Sequence, residues 1–311
     1  MGSSHLCPDV NDRSVAGEKS GLLRMEQWRR GAGTMDFRGH PVQVYEGGDP
    51  RGEPLLLIHG FPTAAWDWVR VWESLGRDFR LLAPDLLGFG FSAKPQDLEY
   101  SFPLQADLCE AVLASRSVER YHVLAHDYGD TVAQELLARR GKGTGAEGLR
   151  SVCLLNGGVF PERHQPRLIQ RLLAGPLGPL LSRLIGKRQA LRSLARVFGP
   201  DTQPGTTERE AMWQLIDHGD GRRVMPRLLG YIREREIHRD RWVGAMIESP
   251  VPLMFVDGLL DPVSGEHMVE RWRTLLPRAP LVELPGIGHY PQLEAPDQVV
   301  AACVPFFRAV D

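Results

Sequence analysis

Tyr121-His-Val-Leu-Ala125-His126-Asp127-Tyr128-Gly129-Asp-Thr-Val-Ala-Gln-Glu-Leu136 reads as a short apolar strand, an abrupt turn and the start of a helix. The helical pattern continues to Arg139. Ala125 and Gly129 flank the turn with small residues, and a turn that tight needs them so that its central residue can stand above the strand end in a strained conformation. That residue is Asp127, and the following helix aims its N-terminal amides at the same point, where they stabilise an anion. Taken alone, Asp127 reads equally well as a helix N-cap. Its partners decide the matter.

Those partners follow in chain order. The strand Pro252–Val256 runs into Asp257-Gly-Leu-Leu-Asp261-Pro262, and the next strand, Leu281–Leu284, runs into Pro285-Gly-Ile-Gly-His289-Tyr-Pro. An acid and a histidine in the loops after successive strands complete the order nucleophile, acid, base. Asp257 is the reserve acid, less well placed because it sits at the strand end. His59-Gly-Phe61-Pro62 follows the strand Pro54–Ile58, where an oxyanion-binding amide is expected from Phe61, paired with the amide of Tyr128. His59, Pro62, His126 and Phe160 are expected to line the pocket.

Around these segments, a wholly apolar strand (Pro54–Ile58) and further mainly apolar ones (Arg80–Ala83, Tyr121–Leu124, Val152–Leu155) alternate with helical patterns (Trp66–Leu75, Leu104–Ala114, Gly265–Leu275, Gln298–Ala309), as in an α/β protein with a mostly parallel sheet. A hairpin around Arg38-Gly39 opens the series. From Val159 to Met246 the alternation stops, and Leu- and Arg-rich helical patterns take over. Residues 159–246 are therefore expected to form a helical cap inserted into a core of 35–158 and 247–311, after a polar tail of 1–34.

Composition narrows the function. A net charge of −2 gives no field that would attract nucleic acid. Cys7, Cys109, Cys153 and Cys303 lie far apart, without metal-ligand spacing, and read as small buried hydrophobes rather than zinc ligands. Gly88-Phe-Gly90-Phe-Ser-Ala93 mimics a dinucleotide fingerprint, but Pro95 forbids the helix it must open, so no cofactor is expected. The start lacks an apolar signal core, and the apolar run Leu168–Ile185 is broken by Arg, Gly and Pro. The expectation is a cytoplasmic protein without membrane contact; the sequence does not specify an oligomeric state.

An aspartate at this turn suits displacement at saturated carbon. Serine alkylated at carbon gives an ether; aspartate gives an ester that water, activated by His289, can hydrolyse. An epoxide oxygen needs a proton as it leaves, and Tyr231 is the candidate donor in the inserted segment. A departing halide needs side-chain N–H donors, which Phe61 and Tyr128 do not offer.

His59-Gly-Phe-Pro62, Asp85-Leu-Leu-Gly-Phe-Gly-Phe-Ser92 and His126-Asp-Tyr-Gly129 resemble the epoxide hydrolase and haloalkane dehalogenase branch of the α/β-hydrolases. His126–Leu136, Asn156–Pro161, Val197–Pro200, Arg241–Ala245 and His289–Glu294 more closely resemble the mesoderm-specific transcript protein group within it. The resemblance implies the α/β-hydrolase fold, a helical cap and the triad Asp127, Asp261, His289 acting on a small hydrophobic epoxide or alkyl halide. The chain departs from the epoxide hydrolase pattern at Tyr128, where tryptophan is usual, at Asp130, where glycine is usual, and in offering one cap tyrosine instead of two. A haloalkane dehalogenase or another hydrolase using the same triad, and a degenerate hydrolase that binds a hydrophobic ligand or partner, are the alternatives.

Overall fold

The computed structural model describes residues 25–310; Cys7 and residues 1–24 of the expected tail lie outside them. Eight strands form one sheet in the order β1-β2-β4-β3-β5-β6-β7-β8. β1 (Ala32–Phe37), β2 (His40–Gly48) and β4 (Phe79–Pro84) pair antiparallel. β3 (Glu53–Ile58), β5 (Tyr121–His126), β6 (Leu149–Leu155), β7 (Leu253–Gly258) and β8 (Leu281–Leu284) continue from β4 in parallel.

The apolar strands are apolar because both faces are covered. Leu56 and Ile58 of β3 face one hydrophobic cluster with α3 (Phe102–Ser115) and α4 (Tyr128–Lys142). Leu55 and Leu57 face the other, with Trp68, Val299, Cys303 and Phe307. Ser101 caps α3 by accepting from the Leu104 amide, and Gly143, at φ 61°, ends α4 in the left-handed conformation that favours glycine. Cys109, Cys153 and Cys303 are buried and free.

Two local expectations change. Trp66–Leu75 is not one helix but a 3-10 turn, Ala65–Trp68, followed by α2 (Trp72–Gly76). The amides of Asp67, Val69 and Val71 each bond three residues back, and the Ala65 amide is held by Asp85, so the first turn is too tight to continue as α-helix. The expected tail is also partly packed. Residues 25–30 form α1, Met25 is buried, and Trp28 stacks on Tyr45 at 4.7 Å. Two apolar anchors in a polar stretch are enough to dock it.

Between β6 and β7 the described chain makes helices alone: α5 (Leu168–Ala174), α6 (Gly178–Leu184), α7 (Lys187–Ala195), α8 (Thr206–Asp217), α9 (Gly221–Leu228), α10 (Tyr231–Ile237) and α11 (Arg239–Ile247), with a 3-10 turn before α9. α12 (Glu266–Leu275), α13 (Pro291–Glu294) and α14 (Pro296–Arg308) complete the chain. Among the described residues no helix is long and apolar enough to cross a membrane. The segment Gly88–Ala93 is a loop whose Asp85 carboxylate accepts from the amides of Ala65 and Phe91.

Candidate active site

The turn between β5 and α4 places Asp127 at φ 47° and ψ −103°, a backbone state costly for any residue with a Cβ. Close approach of neighbouring backbone makes it possible. A Cβ on Gly129 would stand 2.2 Å from the Ile58 carbonyl oxygen, and one on Gly60 would stand 2.9 Å from Asp127 Cβ. Glycine at both positions lets β3 and its following loop press against the elbow.

That loop carries the Phe61 amide, which donates to Asp127 Oδ2 at 3.1 Å. Tyr128 opens α4, so its N–H belongs to the set a helix leaves without intrahelical acceptors. Its side chain turns away, buried against Phe89, Phe102 and Tyr231.

His289 Nε2 stands 4.0 Å from Asp127 Oδ2, and His289 Nδ1 donates to Asp261 Oδ2 at 2.7 Å. Asp261 also accepts from Ser264 Oγ, Asn156 Nδ2 and the Val263 amide. Burial alone would make it a weaker acid, but the His289 charge and these donors hold the carboxyl below the ordinary carboxylate range. For His289, burial disfavours the imidazolium. The charge of Asp261 and the hydrogen bond to it, with Asp127 and Glu294 behind, outweigh burial and raise the ring to about 9. Asp257, the reserve acid, has both oxygens buried without a partner among the described residues, and burial followed by the charge of Asp261 pushes it well above the usual range. Asp261 is thus the residue paired with His289.

A cavity of about 780 Å³, counted with its open mouth, reaches Asp127 and His289. Its wall includes Phe61, Pro62, Gln170, Leu173, Val197 and Leu229. Three residues expected on that wall are absent from it. His59 donates from Nδ1 to the Gly60 carbonyl and accepts the Leu86 amide at Nε2. His126 donates to the His289 carbonyl at 2.7 Å, and burial, then the His289 charge, lowers its ring to about 3. Phe160 packs near Trp272 in the core. Each is spent on structure.

Tyr231 is likewise not on the wall. It is buried among Phe61, Phe102 and Tyr128, and its hydroxyl accepts from Gln170 Nε2 at 3.2 Å. Gln170 and Arg167 bring side-chain N–H groups to the cavity, donors that sequence reasoning did not anticipate.

The larger omission is Arg235 of α10, which is 1% exposed. Its Nη2 donates to the Asp127 carbonyl at 2.9 Å, its Nε to Thr131 Oγ1 at 2.8 Å, and the guanidinium lies 4.6 Å over the Tyr231 ring. It stands 3.9 Å from Asp127 Oδ1. An inserted helix thereby satisfies a buried carbonyl at the strained turn and brings positive charge beside the carboxylate. Arg235→Met is expected to lower the unfolding free energy by about 3 kcal/mol, because it strands two buried acceptors and removes that charge. Chemical denaturation checks this; a loss below about 1 kcal/mol would mean that the contact carries no stability.

The alpha/beta hydrolase family pattern matches residues 55–302. The mesoderm-specific transcript homolog protein of Bos taurus is 41% identical over 295 residues, covering 92% of this chain and 88% of its own. The LipZ protein of Mycobacterium tuberculosis is 40% identical over 282 residues, 90% of this chain and 96% of its own. A haloalkane dehalogenase of Mycobacterium bovis is 26% identical over 275 residues, 87% of this chain and 92% of its own. Among solved structures, Cfl2 from Burkholderia cenocepacia superposes with a TM-score of 0.75 at 20% identity, covering 89% of this chain and 95% of that one. The epoxide hydrolase CorEH gives 0.71 at 18%, covering 89% and 98%.

Proposed function

The chain belongs to the alpha/beta hydrolase family, and we propose that within it the protein opens epoxides through an ester formed on Asp127. One observation carries the reading. A buried carboxylate occupies the elbow, accepts the Phe61 amide and faces a histidine anchored by a second carboxylate. Helices 159–246 act as the cap that supplies most of the apolar wall.

The steps follow from these groups. A carboxylate oxygen of Asp127 attacks an epoxide carbon, the ring C–O bond breaks, and the alkoxide takes the proton held by His289 on the same cavity wall. That transfer leaves the His289 ring neutral beside an uncharged ester, ready to act as base. His289 then takes a proton from water as its oxygen adds to the Asp127 carbonyl carbon. The resulting oxyanion forms where the Phe61 and Tyr128 amides converge. Collapse expels the second alkoxide, which takes the proton back from His289 and leaves as the diol. The Asp127 acid so formed passes its proton to His289, which restores the starting carboxylate and imidazolium. A single donor of this kind typically contributes about 3 kcal/mol to the transition state.

A second reading, expulsion of halide, is favoured by the Gln170 amide on the cavity wall and by the dehalogenase relative. One experiment separates the two. His289→Gln is expected to form the ester and fail to hydrolyse it, so incubation with panels of epoxides and haloalkanes should leave an adduct visible by intact-mass spectrometry. A gain equal to a whole epoxide, mapped to Asp127, supports ring opening. A gain equal to a haloalkane less hydrogen halide, with free halide in solution, moves the assignment to dehalogenation. An adduct on any other residue sinks the nucleophile assignment.

A further inference from the structure

The inserted segment has a composition unlike the rest of the chain. Between Arg163 and Pro200 there are eight Lys and Arg side chains and no carboxylate, although the whole chain carries a net charge of −2. The same segment holds five leucines that are 49–72% exposed: Leu168, Leu172, Leu177, Leu180 and Leu184. Exposed leucine at this density is unusual for a surface that meets only water.

The leucines are not scattered. Leu168 and Leu172 are four residues apart on α5, and Leu177, the N-cap of α6, is followed at helical spacing by Leu180 and Leu184 on it, so each set shares one helix face. The two helices pack on each other and on α9. On α5 the other face carries Ile169, Gln170 and Leu173, which line the cavity. α5 therefore keeps one face for the site and turns the other outward, while α6 packs on α5 and α9 and leaves its leucines outward. Arg171 and Arg183 lie on these two helices and Arg188 and Arg192 on α7, next in the chain; all four are exposed and without an ion-pair partner among the described residues. Lys187 pairs with Glu210, outside the segment.

We propose that the outer face of α5 and α6 docks on an anionic phospholipid bilayer, with the leucines entering the headgroup boundary and the arginines meeting lipid phosphates. Charge complementarity selects this occupant: a protein surface of ordinary mixed charge would leave these cations unanswered, whereas an anionic lipid surface answers all of them. The sequence alone argues against membrane contact because Arg, Gly and Pro interrupt the apolar run. That objection applies to a spanning helix and not to helices lying flat, for which interleaved arginine and leucine is the expected pattern. Docking here would set a cavity wall against the bilayer, from which an apolar substrate could enter without crossing water.

Vesicle sedimentation tests the proposal on the full chain, without reference to turnover. The protein is expected to sediment with phosphatidylcholine vesicles containing phosphatidylglycerol, to release them at high salt, and to ignore phosphatidylcholine alone. Leu168→Gln with Leu184→Gln should weaken binding about 30-fold. Neutralising Arg171, Arg183 and Arg188 together should weaken it about a hundredfold. These side chains are exposed, so the variants should melt like wild type, and Asp127→Asn should bind vesicles unchanged. No sedimentation with anionic vesicles, or binding indifferent to the leucines, would overturn the proposal. So would a dimer, seen by light scattering without lipid, that the leucine variant dissolves, since a second copy would then be the occupant.

Discussion

Asp127→Asn is expected to lower kcat/KM toward the substrate identified by trapping by at least about 10⁴-fold, the scale seen when a covalent nucleophile is lost. The substitution isolates chemistry from structure. Asparagine is isosteric, is among the residues that best tolerate positive φ, and keeps a carbonyl oxygen able to accept the Phe61 amide held at 3.1 Å. What it loses is the anionic oxygen that must form a bond to carbon. No neighbour can replace it. His289 is engaged by Asp261, while Asp130 is fully buried and pushed well above the usual carboxylate range, first by burial and then by the Asp127 charge. Steady-state kinetics at several pH values, with a melting curve to verify the fold, would decide. A variant that keeps a tenth or more of wild-type turnover would remove Asp127 from the chemistry and point to a hydrolytic site elsewhere.

The elbow was legible because it is written in local pattern: an apolar strand, small residues around a turn, a helix. Asp261 and His289 were legible because each follows a strand, and strand order fixes where their loops arrive. Arg235 was not, since one buried arginine among 37 basic residues looks like its exposed neighbours until the packing of α10 on the elbow is known. Asn156 and Ser264 escaped for a similar reason: neutral polar residues at strand and loop ends show no periodicity that marks them as donors to Asp261. The misplacement of His126 has a simple geometric origin. Adjacency in sequence to a reacting residue does not confer adjacency in space, because successive strand side chains point to opposite faces. Tyr231 shows the limit of reading an inserted helix, whose inward face depends on contacts that no single sequence pattern specifies.

Asp261→Asn is expected to cost about 10³–10⁴-fold in turnover, from both orientation and protonation. The carboxylate fixes the imidazole through Nδ1 at 2.7 Å and so presents Nε2 to Asp127. An amide at that position can donate to Nδ1 and favour the wrong tautomer. The second effect is visible in stability. In the wild type the His289 ring is raised from 6.5 to about 9, so the folded state binds its proton more tightly than the unfolded chain. That preference is worth about 3 kcal/mol and is fully present below pH 6.5. It is lost as pH rises from 6.5 through 9. Without Asp261 the main support of the imidazolium is gone, and burial acts against it with only the charges of Asp127 and Glu294 in opposition. The gap in unfolding free energy between wild type and variant should therefore shrink by about 3 kcal/mol between roughly pH 6 and pH 9, other groups titrating alike in both proteins. Denaturant titrations at the two pH values measure it. A gap that does not change with pH would mean that Asp261 does not hold the proton on His289, and a turnover loss as large from Asp257→Asn would transfer that role to the reserve acid.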